Sequence, residues 1–312
     1  MSLFLPKDFI ETKEGLIFAV VSAGKEEQRV ISFLRYQRSS CGCRKLSTKE
    51  ANALLSERWP EYLYYSKIRD VRLHGVPGEK ITYHHQPRRR LMRLWKSRQC
   101  DSIEHKVKLL LGKFYEHGLN PQHMGITGSI LIGAQNPDSD IDLVFYRRDS
   151  FFKAREVIKR LLSEGILHNL DDTLWHDAYK RRRCSLTFSE FLWHEQRKYN
   201  KAAIQQTKFD ISLLTPDQET NSSRYRKCGT LCLKSQIVDD TQRFDYPARY
   251  RLDHPSIKEV VSYTATYAGQ ARHGESVEVH GVLETSTEGY QRILVGTDRE
   301  ASGDYIKVLS TL

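Results

Sequence analysis

No apolar run in this 312-residue chain approaches the roughly 20 residues of a membrane-crossing helix; the longest, Leu16 to Val21, is strand-sized. The opening residues, Met1-Ser-Leu-Phe-Leu-Pro-Lys-Asp8, lack the basic start and long apolar stretch of a secretory signal, so none is expected. Cysteine is scarce. Six irregularly spaced residues make no disulfide framework, which points to a reducing, cytoplasmic setting with no membrane partner. Cys41-x-Cys43 misses the usual zinc spacing, Cys228-x3-Cys232 falls within it, and no histidine completes a recognisable ligand set. The chain contains no Gly-x4-Gly-Lys-Ser/Thr phosphate loop, no internal repeat and no low-complexity tract.

What the chain does have is aromatic residues and positive charge. With 16 Tyr, 12 Phe and 4 Trp it has the material for packed cores. The net charge is +10, and its distribution matters more than its size. Residues 1–100 hold 20 basic and 10 acidic side chains, whereas residues 101–216 and 217–312 are close to balance. The positive excess therefore belongs to the first hundred residues, and a polyanionic partner is expected there.

Patterning suggests three segments and an α+β fold. Residues 1–100 read as a basic α+β domain. They open with a hairpin of Leu16–Ser22 and Val30–Tyr36, followed by a Ser47-Thr-Lys-Glu50 capping box. Residues 101–216 alternate helix and strand. A helix capped by Asp101 or Ser102 carries Ile103, Val107, Leu110, Leu111 and Phe114 on one face. Next come strand Met124–Thr127, strand Asp140–Tyr146, an amphipathic helix ending near Gly165, a helix from Thr187 through Lys201, and strand Phe209–Leu214. Residues 217–312, with Val260–Tyr267, Ser276–Leu283 and Tyr290–Val295, read as a small antiparallel barrel or sandwich.

The chemistry concentrates in Gly125-Ile-Thr-Gly-Ser-Ile-Leu-Ile-Gly-Ala-Gln-Asn-Pro-Asp-Ser-Asp-Ile-Asp-Leu-Val-Phe145. Residues two apart in a strand share a face, so Asp140 and Asp142 point one way while Ile141, Leu143 and Phe145 enter the core. Adjacent carboxylates repel, and a divalent cation with a taste for hard oxygen ligands, Mg²⁺ or Mn²⁺, relieves that repulsion. In Phe209-Asp-Ile-Ser-Leu213 the same alternation sets Asp210 apart from its apolar neighbours. Three carboxylates on two strands can hold two metals, one for a triphosphate and one to activate a hydroxyl. Gly128-Ser129 offers backbone N–H groups and a hydroxyl to a phosphate.

Gly128-Ser129, ten intervening residues, Asp140-Ile-Asp142 and a later apolar-flanked Asp210 together resemble the polymerase-β-type nucleotidyltransferase superfamily over residues 101–216. That resemblance implies a mixed-sheet catalytic core in which Asp140 and Asp142 bind both metals and Asp210 completes the catalytic one. Ser129 would hold the terminal phosphates of a nucleoside triphosphate. More narrowly, His74-Gly-Val-Pro77, the Asp140 stretch and Ser262-Tyr-Thr-Ala-Thr-Tyr-Ala-Gly-Gln270 resemble uncharacterised, mainly archaeal proteins described as predicted nucleotidyltransferases.

Two basic regions complete the picture. Arg88-Arg-Arg-Leu-Met-Arg-Leu-Trp-Lys-Ser-Arg98 contains no acid. On a helix, Arg89, Arg93 and Lys96 would face outward and Leu91, Leu94 and Trp95 inward, with Arg88 and Arg90 adding to a nucleic-acid grip. Lys180-Arg-Arg-Arg183, Arg197 and Lys198 lie between the second and third Asp, with Arg197 and Lys198 the better candidates for nucleotide contact. The expected activity is transfer of a nucleoside monophosphate to an acceptor hydroxyl, an RNA end such as that of tRNA being the first choice. Nucleotidylation of a protein or small molecule, and an inactive RNA-binding protein, are the alternatives.

Overall fold

The computed structural model describes residues 4–215, 224–296 and 303–309, and is mixed α+β throughout. Its chain divides into two compact units, one formed by residues 1–157 and 203–221, the other by residues 158–202 and 222–312. Segments 1–100 and 101–157, which differ so much in charge, thus fall in one unit.

The first unit begins with strands β1 (Phe9–Thr12), β2 (Leu16–Val20), β3 (Arg29–Ser39) and β4 (Gly42–Lys45), then helix α1 (Thr48–Arg58). Strands β5 (Leu63–Ser66), β6 (Val71–Pro77) and β7 (Ile81–His85) follow. They form one sheet in the order β5-β6-β3-β2-β1-β7, with β4 also on β3. The expected hairpin is β2–β3, antiparallel with Ala19 opposite Phe33. The Ser47 capping box starts α1, whose Ala51 and Leu55 bury against Phe18, Leu34 and Tyr62. His74 lies within the same domain core. Its Nδ1 accepts from the Leu34 amide at 2.9 Å and its Nε2 faces Asn52 Oδ1 at 2.8 Å, so both ring nitrogens serve a neutral imidazole.

Helices α2 (Pro87–Lys96) and α3 (Ser102–Glu116) lead into a second, four-stranded sheet. Asp101, not Ser102, is the N-cap of α3, with Glu104 closing the capping box. The apolar stripe of α3 is buried as the spacing predicts, and Phe114 meets Phe145 and Phe209 edge-on at 6.1 and 6.5 Å. The sheet is built from β8 (Met124–Thr127), β9 (Ile141–Phe145), β10 (Lys201–Ile204) and β11 (Thr207–Leu213), in the order β10-β11-β9-β8. Between β8 and β9 lies the one-turn helix α4 (Gly128–Leu131). Strands β9 and β11 are parallel, and a parallel pair requires a long crossover; helices α5 (Arg148–Ser163), α6 (Asp172–Arg182) and α7 (Phe188–Gln196) supply it.

Two helical expectations change here. Helix α6, with only Trp175 and Ala178 buried, presents too sparse an apolar stripe for the sequence pattern to reveal it. Helix α7 stops at Gln196 rather than continuing to Lys201, because Tyr199 takes a left-handed conformation at φ 50° that ends helical propagation.

The remainder of the second unit is a β ring. Strand β12 (Tyr225–Asp239) pairs with both β13 (Ala248–Leu252) and β15 (Ser276–Ser286), while β14 (Ile257–Ser262) joins β13 to β16 (Gln291–Val295). Since β16 pairs with β15, the order β12-β13-β14-β16-β15 returns to β12, and β17 (Tyr305–Val308) extends the pairing along β15. Closure favours the barrel over the sandwich. It is not wholly antiparallel, however, because β14 and β16 run parallel. Tyr250 is buried in this unit, its hydroxyl donating to the Tyr267 carbonyl at 2.6 Å.

Candidate active site

Alternation along β9 and β11 builds the site. Ile141, Leu143 and Phe145, like Phe209, Ile211 and Leu213, are buried, which turns Asp142 and Asp210 to the opposite face of the sheet. The parallel register sets Asp210 directly beside Asp142, and the antiparallel register sets Thr127 on its other side. Thr127, Asp142 and Asp210 thus form one row across three strands, with adjacent strands about 4.8 Å apart. Asp140 precedes β9 by one residue and shares the face of Asp142.

Gly128 follows Thr127 at φ 69°, a left-handed conformation that glycine tolerates best. Space imposes the same choice, because a Cβ there would run into the Asp142 carboxylate. The turn is therefore shaped around that carboxylate, and the half-buried Ser129 follows in the chain. The structure places Gly128 and Ser129 within α4 itself.

One further side chain completes the cluster, and sequence reasoning missed it. Lys208 lies two residues before Asp210 on β11, buried, with its Nζ donating to Asp140 Oδ2 at 3.1 Å and standing 3.6 Å from Asp210 Oδ2. Burial disfavours its charge, but Asp210, Asp140 and Asp142 together hold the ammonium protonated above the usual lysine range. The alternation that located Asp210 also places Lys208 on its face, so the signal was present in Lys208-Phe-Asp210.

The electrostatics remain uneven despite this lysine. Burial, then the charge of Asp210 and of Asp140, push the Asp142 carboxyl up to about 6 against the pull of Lys208. Asp210 Oδ1 is buried without a hydrogen-bond partner among the described residues. A buried carboxylate oxygen left unpaired is expensive and invites a cation or donor. Among the described residues no three His, Cys, Asp or Glu side chains stand as a ready metal-ligand set; Lys208 lies between two of the acids instead.

The N-terminal sheet borders this row. The Thr127 hydroxyl donates to the Lys7 carbonyl at 2.7 Å, and Phe9, Ile17 and Tyr36 bury against Leu131 and Ile132 of the α4 turn. Burial and the nearby Asp142 charge raise the Tyr36 phenol to about 12, so it stays protonated at neutral pH.

The basic helix α2 is divided in use. Leu91 and Leu94 are buried as expected, while Trp95 is only half-buried, beside Tyr115 at 6.3 Å. Arg89, Arg93 and Lys96 are exposed. Arg88, also exposed, lays its guanidinium 3.9 Å over the Tyr146 ring. Arg90 departs from the proposed grip. Its Nε donates to the Ile130 carbonyl at 3.0 Å and it pairs with Glu104, so it ties α2 to the α4 turn.

Arg197 and Lys198 belong to the second unit and are engaged there. Lys198 is wholly buried, donating to Glu195 at 2.5 Å and to the Thr266 carbonyl at 2.6 Å; burial pushes its ammonium down to about 8. Arg197 pairs with Glu275 and lies 4.4 Å over the Trp193 ring. A lysine with no exposed surface cannot be the nucleotide contact expected of it.

No family model and no solved structure matches the chain. It is 34% identical over 341 aligned positions, which span 97% of its length and 98% of the relative's, to the uncharacterised protein MJ1086 of Methanocaldococcus jannaschii. Identity at that level along essentially the whole of both chains is family membership: this chain belongs to the same family as MJ1086.

Proposed function

We propose that the chain is a metal-dependent nucleotidyltransferase that moves a nucleoside monophosphate from a triphosphate onto an acceptor hydroxyl, with an RNA end as acceptor. The observation that carries this reading is the row of Asp142 and Asp210 on adjacent parallel strands, with one buried Asp210 oxygen lacking a partner among the described residues. Three carboxylates face the Lys208 ammonium, with Lys7 adding a weaker positive charge at Asp142, so acid still exceeds base, which suits a divalent cation with oxygen ligands. Asp140, Asp142 and Asp210 would hold Mg²⁺ or Mn²⁺, which when bound would stabilise phosphoryl charge and ease deprotonation of the attacking hydroxyl.

The chain's own groups divide the remaining work. Gly128, lacking a Cβ, gives the Asp142 carboxylate room, and the half-buried Ser129 that follows it would donate its hydroxyl to the triphosphate tail. The sheet fixes the strands that carry the carboxylates before substrate arrives, so only side chains need adjust. In-line attack on the α-phosphorus forms the new ester bond, breaks the bond to the bridging oxygen and releases pyrophosphate. RNA as acceptor rests on the exposed Arg89, Arg93 and Lys96 of α2, a helix fixed to the α4 turn through Arg90.

The test is incubation with α-labelled ribonucleoside triphosphates, Mg²⁺ or Mn²⁺, and total RNA or total protein in parallel. Label should enter RNA, and Asp142→Ala should reduce uptake by about 10³-fold, the scale for losing a main transition-state stabiliser. Equal labelling by the variant, or transfer that persists in excess chelator, would refute the reading. Label in protein instead would reassign the acceptor.

A further inference from the structure

Lys208 is a poor fit for a purely structural ion pair. Its ammonium is buried and shared by Asp140 and Asp210, the outer members of a three-carboxylate cluster, yet the cluster still leaves Asp210 Oδ1 unpaired among the described residues. A lysine placed only to neutralise would be expected to leave fewer loose ends. Its position instead overlaps the one a cation bridging Asp140 and Asp210 must take.

We propose that Lys208 is the resident counter-ion of the carboxylate site, which excludes free metal and surrenders Asp140 and Asp210 only when a triphosphate arrives to receive its ammonium. This rests on the nucleotidyltransferase reading and assigns within it a positioning residue that couples metal to nucleotide. The physical reason is that a buried ammonium stripped of its carboxylates is left uncompensated, a state costly enough to oppose metal binding by itself. A triphosphate removes that penalty because its oxygens accept from Lys208 as the carboxylates turn to the metal. Metal and nucleotide then favour each other's binding, and by linkage the coupling is reciprocal. The strand geometry allows the exchange: Lys208 and Asp210 share one face of β11, so the ammonium remains beside the site when it leaves the acids.

The experiment compares the full-length wild type with Lys208→Met, nearly isosteric and uncharged, and Lys208→Arg, which keeps the charge. Mn²⁺ binding is followed by electron paramagnetic resonance. Affinity for the Mn²⁺ complexes of α,β-methylene analogues of the four ribonucleoside triphosphates is measured separately. Lys208→Met should bind Mn²⁺ alone at least about tenfold more tightly than wild type, yet bind the Mn²⁺–nucleotide complex about tenfold more weakly. Lys208→Arg should remain near wild type toward Mn²⁺ alone. A disrupted site would lose affinity for both ligands, so opposite signs on one protein separate the proposed role from a structural one. Should the Met variant fail to fold, Lys208→Gln provides the same comparison.

Equal or weaker Mn²⁺ binding by the uncharged variant would overturn the role of Lys208 and leave the nucleotidyltransferase reading standing. Failure of wild type and every variant to bind Mn²⁺, with or without nucleotide, would overturn both.

Discussion

Each unit of the molecule buries a cluster of lysine and carboxylate, and the two clusters are opposites. In the first, Lys208 faces Asp140, Asp142 and Asp210, acid exceeds base, and one carboxylate oxygen is unpaired among the described residues. In the second, Glu195 is shared by Lys198 and Lys201, base exceeds acid, and the Thr266 carbonyl takes a further donor of Lys198. Burial raises the Asp142 carboxyl to about 6, whereas Lys198 and Lys201 overcome burial and hold Glu195 down to about 2. A satisfied buried ion pair specifies structure, while an unbalanced one with an unpaired oxygen is poised to bind something. The same residue types thus carry different meanings, and the difference lies in what remains unpaired.

Substitution should separate them cleanly. Glu195→Ala leaves two buried ammoniums without a counter-charge and should destabilise the second unit by about 3–5 kcal/mol, read by chemical denaturation. Asp142→Ala, which nearly abolishes transfer in the reading above, should leave stability unchanged or slightly higher, because it removes repulsion from Asp210 and Asp140. Comparable destabilisation by the two variants would erase the distinction between a structural and a functional cluster.

Buried histidines sharpen the comparison further, because each unit holds one that is neutral and doubly bonded. His74 accepts the Leu34 amide on Nδ1; His194 accepts the Val308 amide on Nε2, with its Nδ1 toward the Glu190 carbonyl at 2.7 Å. Burial pushes both down to about 4. The unfolded chain, with histidine near 6.5, binds more protons between pH 6.5 and 4, so stability rises with pH in that window. Each histidine's contribution is complete above about pH 6.5 and should shrink by about 3 kcal/mol as pH falls to 4. His74→Gln should flatten the acid limb of the first unit's denaturation profile, and His194→Gln that of the second. An acid limb unchanged in both variants would assign the sensitivity elsewhere.

How far the sequence alone could reach follows from the range of each interaction. Alternation along Ile141–Phe145 and Phe209–Leu213 is local, and it located all three carboxylates and their shared face. Capping boxes at Ser47 and Thr187, and the apolar stripe of α3, are equally local and were legible. Lys208 obeys the same period-two rule, but a lysine ordinarily signals a solvated face, which masks its meaning. The burial of Lys198 had no such signal, since its partner carbonyl is on Thr266, 68 residues away. Closure of the β ring likewise depends on a parallel pairing between β14 and β16 that no short pattern encodes.

The smallest expected effect tests the contrast between engaged and free charge within a single helix. Arg90 is tied to Ile130 and Glu104, whereas Arg89 and Arg93 on the same turns are exposed. A free arginine that neutralises a phosphate releases counterions, so its removal should make RNA affinity less steeply dependent on salt. The change is about 0.7 in the log–log slope for each phosphate no longer neutralised on a single strand. Arg89→Ala and Arg93→Ala should therefore each weaken RNA binding modestly and flatten the slope by about that amount, with stability held within about 0.5 kcal/mol. Arg90→Ala should do the reverse, lowering stability because Glu104 loses its ion-pair partner and the Ile130 carbonyl a donor, while leaving the salt slope of RNA binding in place. If the three variants shift the slope equally, α2 acts as a diffuse positive field. If none does, the charge that distinguishes residues 1–100 serves something other than RNA.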